Sequence, residues 1–187
     1  MTRLLAIGIA GMFFLTCWSD AAESSDGFRN LLRNGGFEMA PDGATMPSWW
    51  RHWSPEPDRP KVKVALDRTQ AWEGRNSVQF ANSAPALAMI QSRNYRLHPG
   101  QTYTFSFYAR GEGDGEVGVQ WATYEDRFAE SLPEQSKDGR FWKLTPDWTR
   151  HEISFTVTAA APLCRFFPQL KGPGTAWIDA MQLEEGG

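Results

Sequence analysis

The sequence predicts an all-β chain: a two-sheet antiparallel β-sandwich of the jelly-roll type. Three observations carry that reading. Short apolar runs alternate with period two, Gly, Pro, Asn and Asp clusters punctuate them, and no stretch past residue 21 holds a helical period over three turns. Eight or so such strands each have one face to bury, and two stacked sheets bury them against each other. The 187 residues fit one domain plus a leader, and 41% hydrophobic residues supply a core of ordinary size.

Taken in order, Arg3 and the apolar run 4–15 come first. That run is shorter than the roughly 20 residues that span a bilayer, so residues 1–21 read as a secretory signal peptide cut after Ala21 or Ala22. Cys17 leaves a lipidated N-terminus as the alternative. The expected domain is 28–185, secreted or periplasmic. Its early strand candidates are residues 61–66, 77–81 and 88–97. In 102–110, Tyr103, Phe105 and Phe107 point one way and Thr104, Ser106, Tyr108 and Arg110 the other. In 116–124, Val117, Val119 and Trp121 oppose Gly118, Gln120, Ala122 and Tyr124. In 151–158, Ile153, Phe155 and Val157 oppose Glu152, Ser154 and Thr156. Segments 164–170 and 176–183 complete the set. Turn signals separate them at His98-Pro99-Gly100, 111–115, Pro146-Asp147 and 171–174.

Composition and motifs narrow the function. A net charge of −3 leaves no basic footprint for nucleic acid. A mean hydropathy of −0.47 excludes a polytopic membrane protein. The sequence holds no nucleophile elbow, phosphate loop, dinucleotide fingerprint or zincin helix. His52, His98 and His151 are scattered and read as solvated loop residues. Glu125-Asp126 and Glu184-Glu185 are sequence neighbours, which point to opposite faces of a strand and cannot flank one glycosidic bond. No enzyme is expected. Without Cys17, Cys164 has no disulfide partner, and in its apolar strand it reads as a buried, inert thiol.

Several segments then occur in a telling order. They are 30–38 with Asn34-Gly35-Gly36-Phe37-Glu38, then Met46-Pro47-Ser48-Trp49-Trp50, Ala71-Trp72-Glu73-Gly74-Arg75-Asn76-Ser77, and 97–111 with Pro99-Gly100-Gln101-Thr102-Tyr103. Trp148-Thr149-Arg150 and Gly174-Thr175-Ala176-Trp177-Ile178-Asp179 follow. Over nearly the whole mature chain this set resembles the jelly-roll carbohydrate-binding modules of families four, nine and twenty-two, which are galactose-binding-domain-like. The resemblance implies a structural calcium held by Glu38 and Asp179, with carbonyls near Gly36 and 73–76 completing its six to eight oxygens. It also implies a non-catalytic module that recognises a β-linked polysaccharide or oligosaccharide on a concave sheet face.

Sugars present flat C–H patches and a rim of hydroxyls, which aromatic rings and planar amide or guanidinium groups match. The polar sides of the alternating strands carry that mixture in Tyr108, Arg110, Gln120, Tyr124, Arg165 and Gln169. The segment 47–53 reads as a loop that adds Trp50 and Trp53 as a cleft wall, with Trp49 in the core edge. Phe141 and Trp142 lie in a polar connection, 125–147, and Trp142 is the further ligand candidate there. Trp72, Trp121, Trp148 and Trp177 read as core. A separate glycoside hydrolase or a cell-surface protein is a candidate partner, with no nucleic acid and no membrane span. The alternative is a structural or adhesion jelly roll that binds a protein partner and has no sugar site.

Overall fold

A computed structural model describes residues 30–124, 136–157 and 162–186. The predicted leader with Cys17, and Glu125-Asp126, lie outside the described residues. Among the described residues, eleven strands form two antiparallel sheets. One contains β1 (Arg51–Trp53), β4 (Leu87–Gln91), β5 (Tyr95–Arg96), β7 (Glu116–Tyr124), β8 (Ser136–Lys143) and β10 (Leu163–Lys171). Its order is β1-β4-β10-β7-β8, with β5 also pairing β10. The other contains β2 (Val62–Asp67), β3 (Ser77–Asn82), β6 (Thr102–Glu112), β9 (Thr149–Thr156) and β11 (Gly174–Glu185), in the order β2-β3-β11-β6-β9. The expected β-sandwich is therefore the observed one.

The period-two pattern does what it predicts. Tyr103, Phe105 and Phe107 of β6 and Val117, Val119 and Trp121 of β7 all face the core between the sheets. Aromatic pairs join the layers: Phe105 stacks on Phe166 with centroids 4.7 Å apart, and Trp121 meets Phe155 at 5.5 Å. Such pairs contribute about 0.5–1.5 kcal/mol each beyond the area they bury.

The differences from the sequence reading are informative. The predicted strand 88–97 is interrupted, because Ser92 turns its hydroxyl in to accept the Phe166 N–H while its own N–H goes to the Phe166 carbonyl. Arg51–Trp53 and Ser136–Lys143 are strands rather than loop and polar connection. A turn spans residues 33–36, with positive φ at Asn34 (55°) and Phe37 (58°). Gly35 is needed there for space, since a Cβ would stand 2.0 Å from the Met181 carbonyl oxygen.

His151, expected in a loop, is buried between Phe107 and Trp142, its ring stacked on the indole at 4.6 Å. Burial holds its pKa below the ordinary value. Of the four Trp residues read as core, Trp121 alone is in it; Trp72 is exposed, and Trp148 and Trp177 are half-buried outside it.

Cys164 is fully buried, and burial pushes its thiol up to about 12. The thiolate is the reactive form, so a Cys17→Ser chain should resist a thiol reagent at pH 8 when folded and react stoichiometrically in urea. Rapid labelling of the folded chain would refute the buried placement.

Candidate functional site

The strand register aligns side chains in rows across the outward face of the six-stranded sheet. Trp53 pairs with Met89, Met89 with Gln169, Gln169 with Gly118, and Gly118 with Phe141. The next row runs Arg51, Gln91, Phe167, Gln120 and Gly139, where Phe167 and Gln120 are paired directly. Four strand intervals of about 4.8 Å separate Trp53 from Phe141, a span of about 19 Å. Trp53 is 43% exposed at one edge. At the other, Phe141 leans over Gly118, where a Cβ would come within 2.6 Å of its ring. Glycine at 118 is thus what lets the ring lie down on the sheet.

The middle of this face is sunk. Met89, Ala122 and Phe167 form a small buried apolar cluster bordered by Leu87 and Leu163. Beside it Gln169 is only 1% exposed, and its Nε2 has no hydrogen-bond partner among the described residues. A pocket of about 500 Å³ opens there, lined by Gln120, Phe141, Gln169, Lys171, Leu87 and Asp58 among others. Asn82 shapes its rim by donating from Nδ2 to the carbonyls of Ala86, Leu170 and Gly172. Asp58 is committed to the Leu87 N–H and to Lys61, while Lys171 stands 5.7 Å from the Phe141 ring centroid. Further along, Arg165 reaches Asn94 at 2.8 Å and Gln91 at 3.3 Å.

Of the predicted ligand residues, this face gathers Trp53, Gln120, Arg165 and Gln169. Tyr124 continues β7 by pairing with Leu163, but its side chain lies outside the described residues. Three placements are corrected. Trp50 is 4% exposed, edge-on to Phe37 with its indole N–H donated to the Asn34 carbonyl, while Trp49 is half-buried and packs against the core edge as expected. Trp142 points inward, edge-on to Phe107, and its neighbour Phe141 takes the outward side. Tyr108 and Arg110 sit on β6, in the five-stranded sheet, and cannot share a groove with β7 and β10. There Tyr108 stacks under Trp72 at 4.1 Å, and Arg110 lies 5.6 Å from the Trp177 ring and donates to Gln70. The reason is topological: every polar strand side faces outward, but a sandwich has two outward faces. Phe141 and Gln91 lie on this face although neither was a ligand candidate, and an alternating strand over 136–143 puts Phe141 and Trp142 on opposite sides.

Glu38 and Asp179 meet at the turn 72–76, on the other side of the molecule. Asp179 Oδ2 accepts the N–H groups of Trp72 and Glu73, and Oδ1 accepts that of Ala180. Glu38 Oε1 accepts the N–H groups of Arg75 and Asn76. Gly74 has φ +70°, and a Cβ there would stand 2.5 Å from Glu38 Oε1. Burial pushes the Asp179 carboxyl up to about 6, against the N–H bonds from Glu73, Ala180 and Trp72 and with the nearby Glu38 charge. Calcium needs oxygen ligands, and the turn offers these carboxylates hydrogens. Among the described residues no group of three acidic, His or Cys side chains completes a shell. As arranged, the pair clasps the backbone N–H groups of the turn.

Comparison with known proteins places this geometry. The chain is 20% identical to TmCBM61, solved in complex with β-1,4-galactotriose, over 84% of this chain and 99% of that one, with a TM-score of 0.58. A putative sugar binding protein from Bacteroides thetaiotaomicron VPI-5482 matches at 16% identity over 84% of this chain and 100% of that one, with a TM-score of 0.59. At these identities the likeness shows the jelly-roll fold. In sequence, the chain is 22% identical over 175 residues to the tRNA nuclease WapA of Bacillus subtilis (strain 168), covering 84% of this chain and 7% of that protein. The chain therefore spans a small fraction of that relative's length. No helix among the described residues is long and apolar enough to cross a membrane. Residues 29–174 match the family model described as carbohydrate binding domain, and the chain belongs to that family.

Proposed function

We propose that the chain is a secreted, non-catalytic module that holds a β-linked polysaccharide across the outward face of its six-stranded sheet. One observation carries the reading. Gln169 is buried midway along the row from Trp53 to Phe141, with an amide N–H₂ that has no partner among the described residues. A buried donor without an acceptor costs about 1–3 kcal/mol, which a sugar hydroxyl bound in the pocket would recover. Exposed Trp53 and the reclining Phe141 supply the apolar faces at either end, and Gln120 a second planar amide. The span of the row suits several linked rings better than a single one.

The charged groups support a binding role. Asp58 is tied to Lys61 and Glu116 to Lys143, so the described carboxylates of this region are engaged in ion pairs. The apolar run 4–15 behind Arg3 supports export. A glycoside hydrolase or a cell-surface protein is the partner such a module would serve. Affinity of about micromolar to millimolar is expected after ordering costs.

Affinity electrophoresis against galactan, xylan, mixed-linkage glucan, laminarin and a soluble cellulose tests the reading. Trp53→Ala and Gln169→Leu should each weaken retardation about tenfold, roughly 1.4 kcal/mol. Gln169→Leu should also hold or raise the melting temperature, because it removes the orphaned amide from an apolar surround. No retardation by any polymer would leave the adhesion reading in its place.

A further inference from the structure

The rim of the proposed cleft is cationic along one end, although the chain as a whole carries a net charge of −3. Contacts connect the groups in sequence. Arg51 pairs across β1–β4 with Gln91, whose Oε1 accepts from Arg165 Nη1 at 3.3 Å. Arg165 Nε donates to Asn94 Oδ1. The neighbouring Arg93 places its guanidinium 4.6 Å from the Trp49 ring centroid, and Arg33 places its own 4.9 Å from the same ring. Trp49 is held there with φ +77°. The Arg33 backbone N–H donates to the Tyr95 hydroxyl, which pins the second guanidinium beside the first.

Arg33, Arg51 and Arg93 are exposed, and among the described residues none of them is in an ion pair. Like charges gathered without counter-charges repel, so the cluster costs stability unless an anion joins it. Guanidinium forks match the planar or tetrahedral oxygen arrays of carboxylate and sulfate, and the indole keeps two forks oriented beside it. At the far end of the face Lys171 adds a further cation at Phe141.

From this we infer that the ligand is an anionic polysaccharide, carrying uronate carboxylates or sulfates that lie against Arg51, Arg93 and Arg33 while its rings cross the row from Trp53 to Phe141. The inference rests on the proposed sugar-binding role of that face. Acidic charge on the polymer would be read by the arginine rim, and ring shape by the aromatic and amide row.

The test is affinity electrophoresis of the full chain in the β-linked anionic polymers hyaluronan and chondroitin sulfate and in neutral xylan and neutral galactan, with duplex DNA as a polyanion that has no pyranose faces to stack. The expected result is retardation by hyaluronan or chondroitin sulfate at least about tenfold stronger than by the neutral polymers. It should weaken about tenfold between roughly 0.05 and 0.5 M salt as the charges are screened. Equal retardation by the two anionic polymers assigns carboxylate, and preference for chondroitin sulfate assigns sulfate. Arg33→Gln/Arg93→Gln and Arg51→Gln should each reduce the acidic-to-neutral affinity ratio about tenfold, with urea midpoints checked to confirm folding. Equal affinity for acidic and neutral polymers, an unchanged ratio in the arginine variants, or DNA binding as tight as the acidic glycan overturns the inference. Binding of neutral polymers alone overturns it while leaving the sugar-binding role intact, and binding of no polysaccharide removes both.

Discussion

Asp179→Ala is expected to destabilise the domain by about 3 kcal/mol, because the N–H groups of Trp72, Glu73 and Ala180 lose their acceptor at a fully buried site. For a domain of this size that corresponds to a fall in melting temperature of about 6–12 °C. The group also gives the fold a pH signature. Its carboxyl titrates near 6 when folded against an ordinary 3.8. The folded state therefore binds its proton more tightly across that window. The stability it contributes is present below pH 3.8 and is lost as pH rises through 6. Buried His151, with its lowered pKa, acts oppositely: it costs stability as pH falls below 6.5. Comparing wild type with Asp179→Asn isolates the first group, since the variant lacks its slope. Identical pH slopes in the two proteins would show that the carboxyl is not perturbed. Because the clasp uses N–H donors, neither EDTA nor added calcium should move the wild-type midpoint; a calcium-dependent rise of several degrees would restore the metal site that the family resemblance implies.

Trp50→Ala should cost about 3–5 kcal/mol, the range for removing a large buried aromatic. Trp50 is 4% exposed, sits edge-on to Phe37, and donates its indole N–H to the Asn34 carbonyl at 3.1 Å. It thus pins the segment that carries Glu38 to its clasp. Trp50→Phe should lose much less, about the hydrogen bond and some area. Urea unfolding separates the two roles considered for this residue. A Trp50→Ala chain with wild-type stability and lost polysaccharide binding would return Trp50 to the ligand surface.

The alternating strands were legible because their physics is local. In 102–110, 116–124 and 151–157 the side that is apolar in sequence is the side that faces the core. Segments without clean alternation were not legible. Ser136–Lys143 mixes Asp138, Gly139 and Arg140 with Phe141 and Trp142, so its inward and outward members cannot be told apart by polarity. Trp49 and Trp50 are chemically identical neighbours, yet Trp50 is buried in the core while Trp49, at a positive φ, packs half-buried at its edge. Glu38 and Asp179 were found through the family-like segments, yet whether they face hydrogens or a metal depends on how residues 72–76 turn.

By itself the sequence determined an all-β sandwich, its main core-facing residues, the inert Cys164 and the family resemblance, since each follows from local periodicity or an ordered set of segments. Only the tertiary structure decided which outward residues share a face. Tyr108 and Arg110 alternate as cleanly as Gln120 and Arg165, but strand order puts β6 beside β11 and β7 beside β10. Period-two alternation tells inward from outward within one strand, and only the long-range pairing of strands tells one outward face from the other.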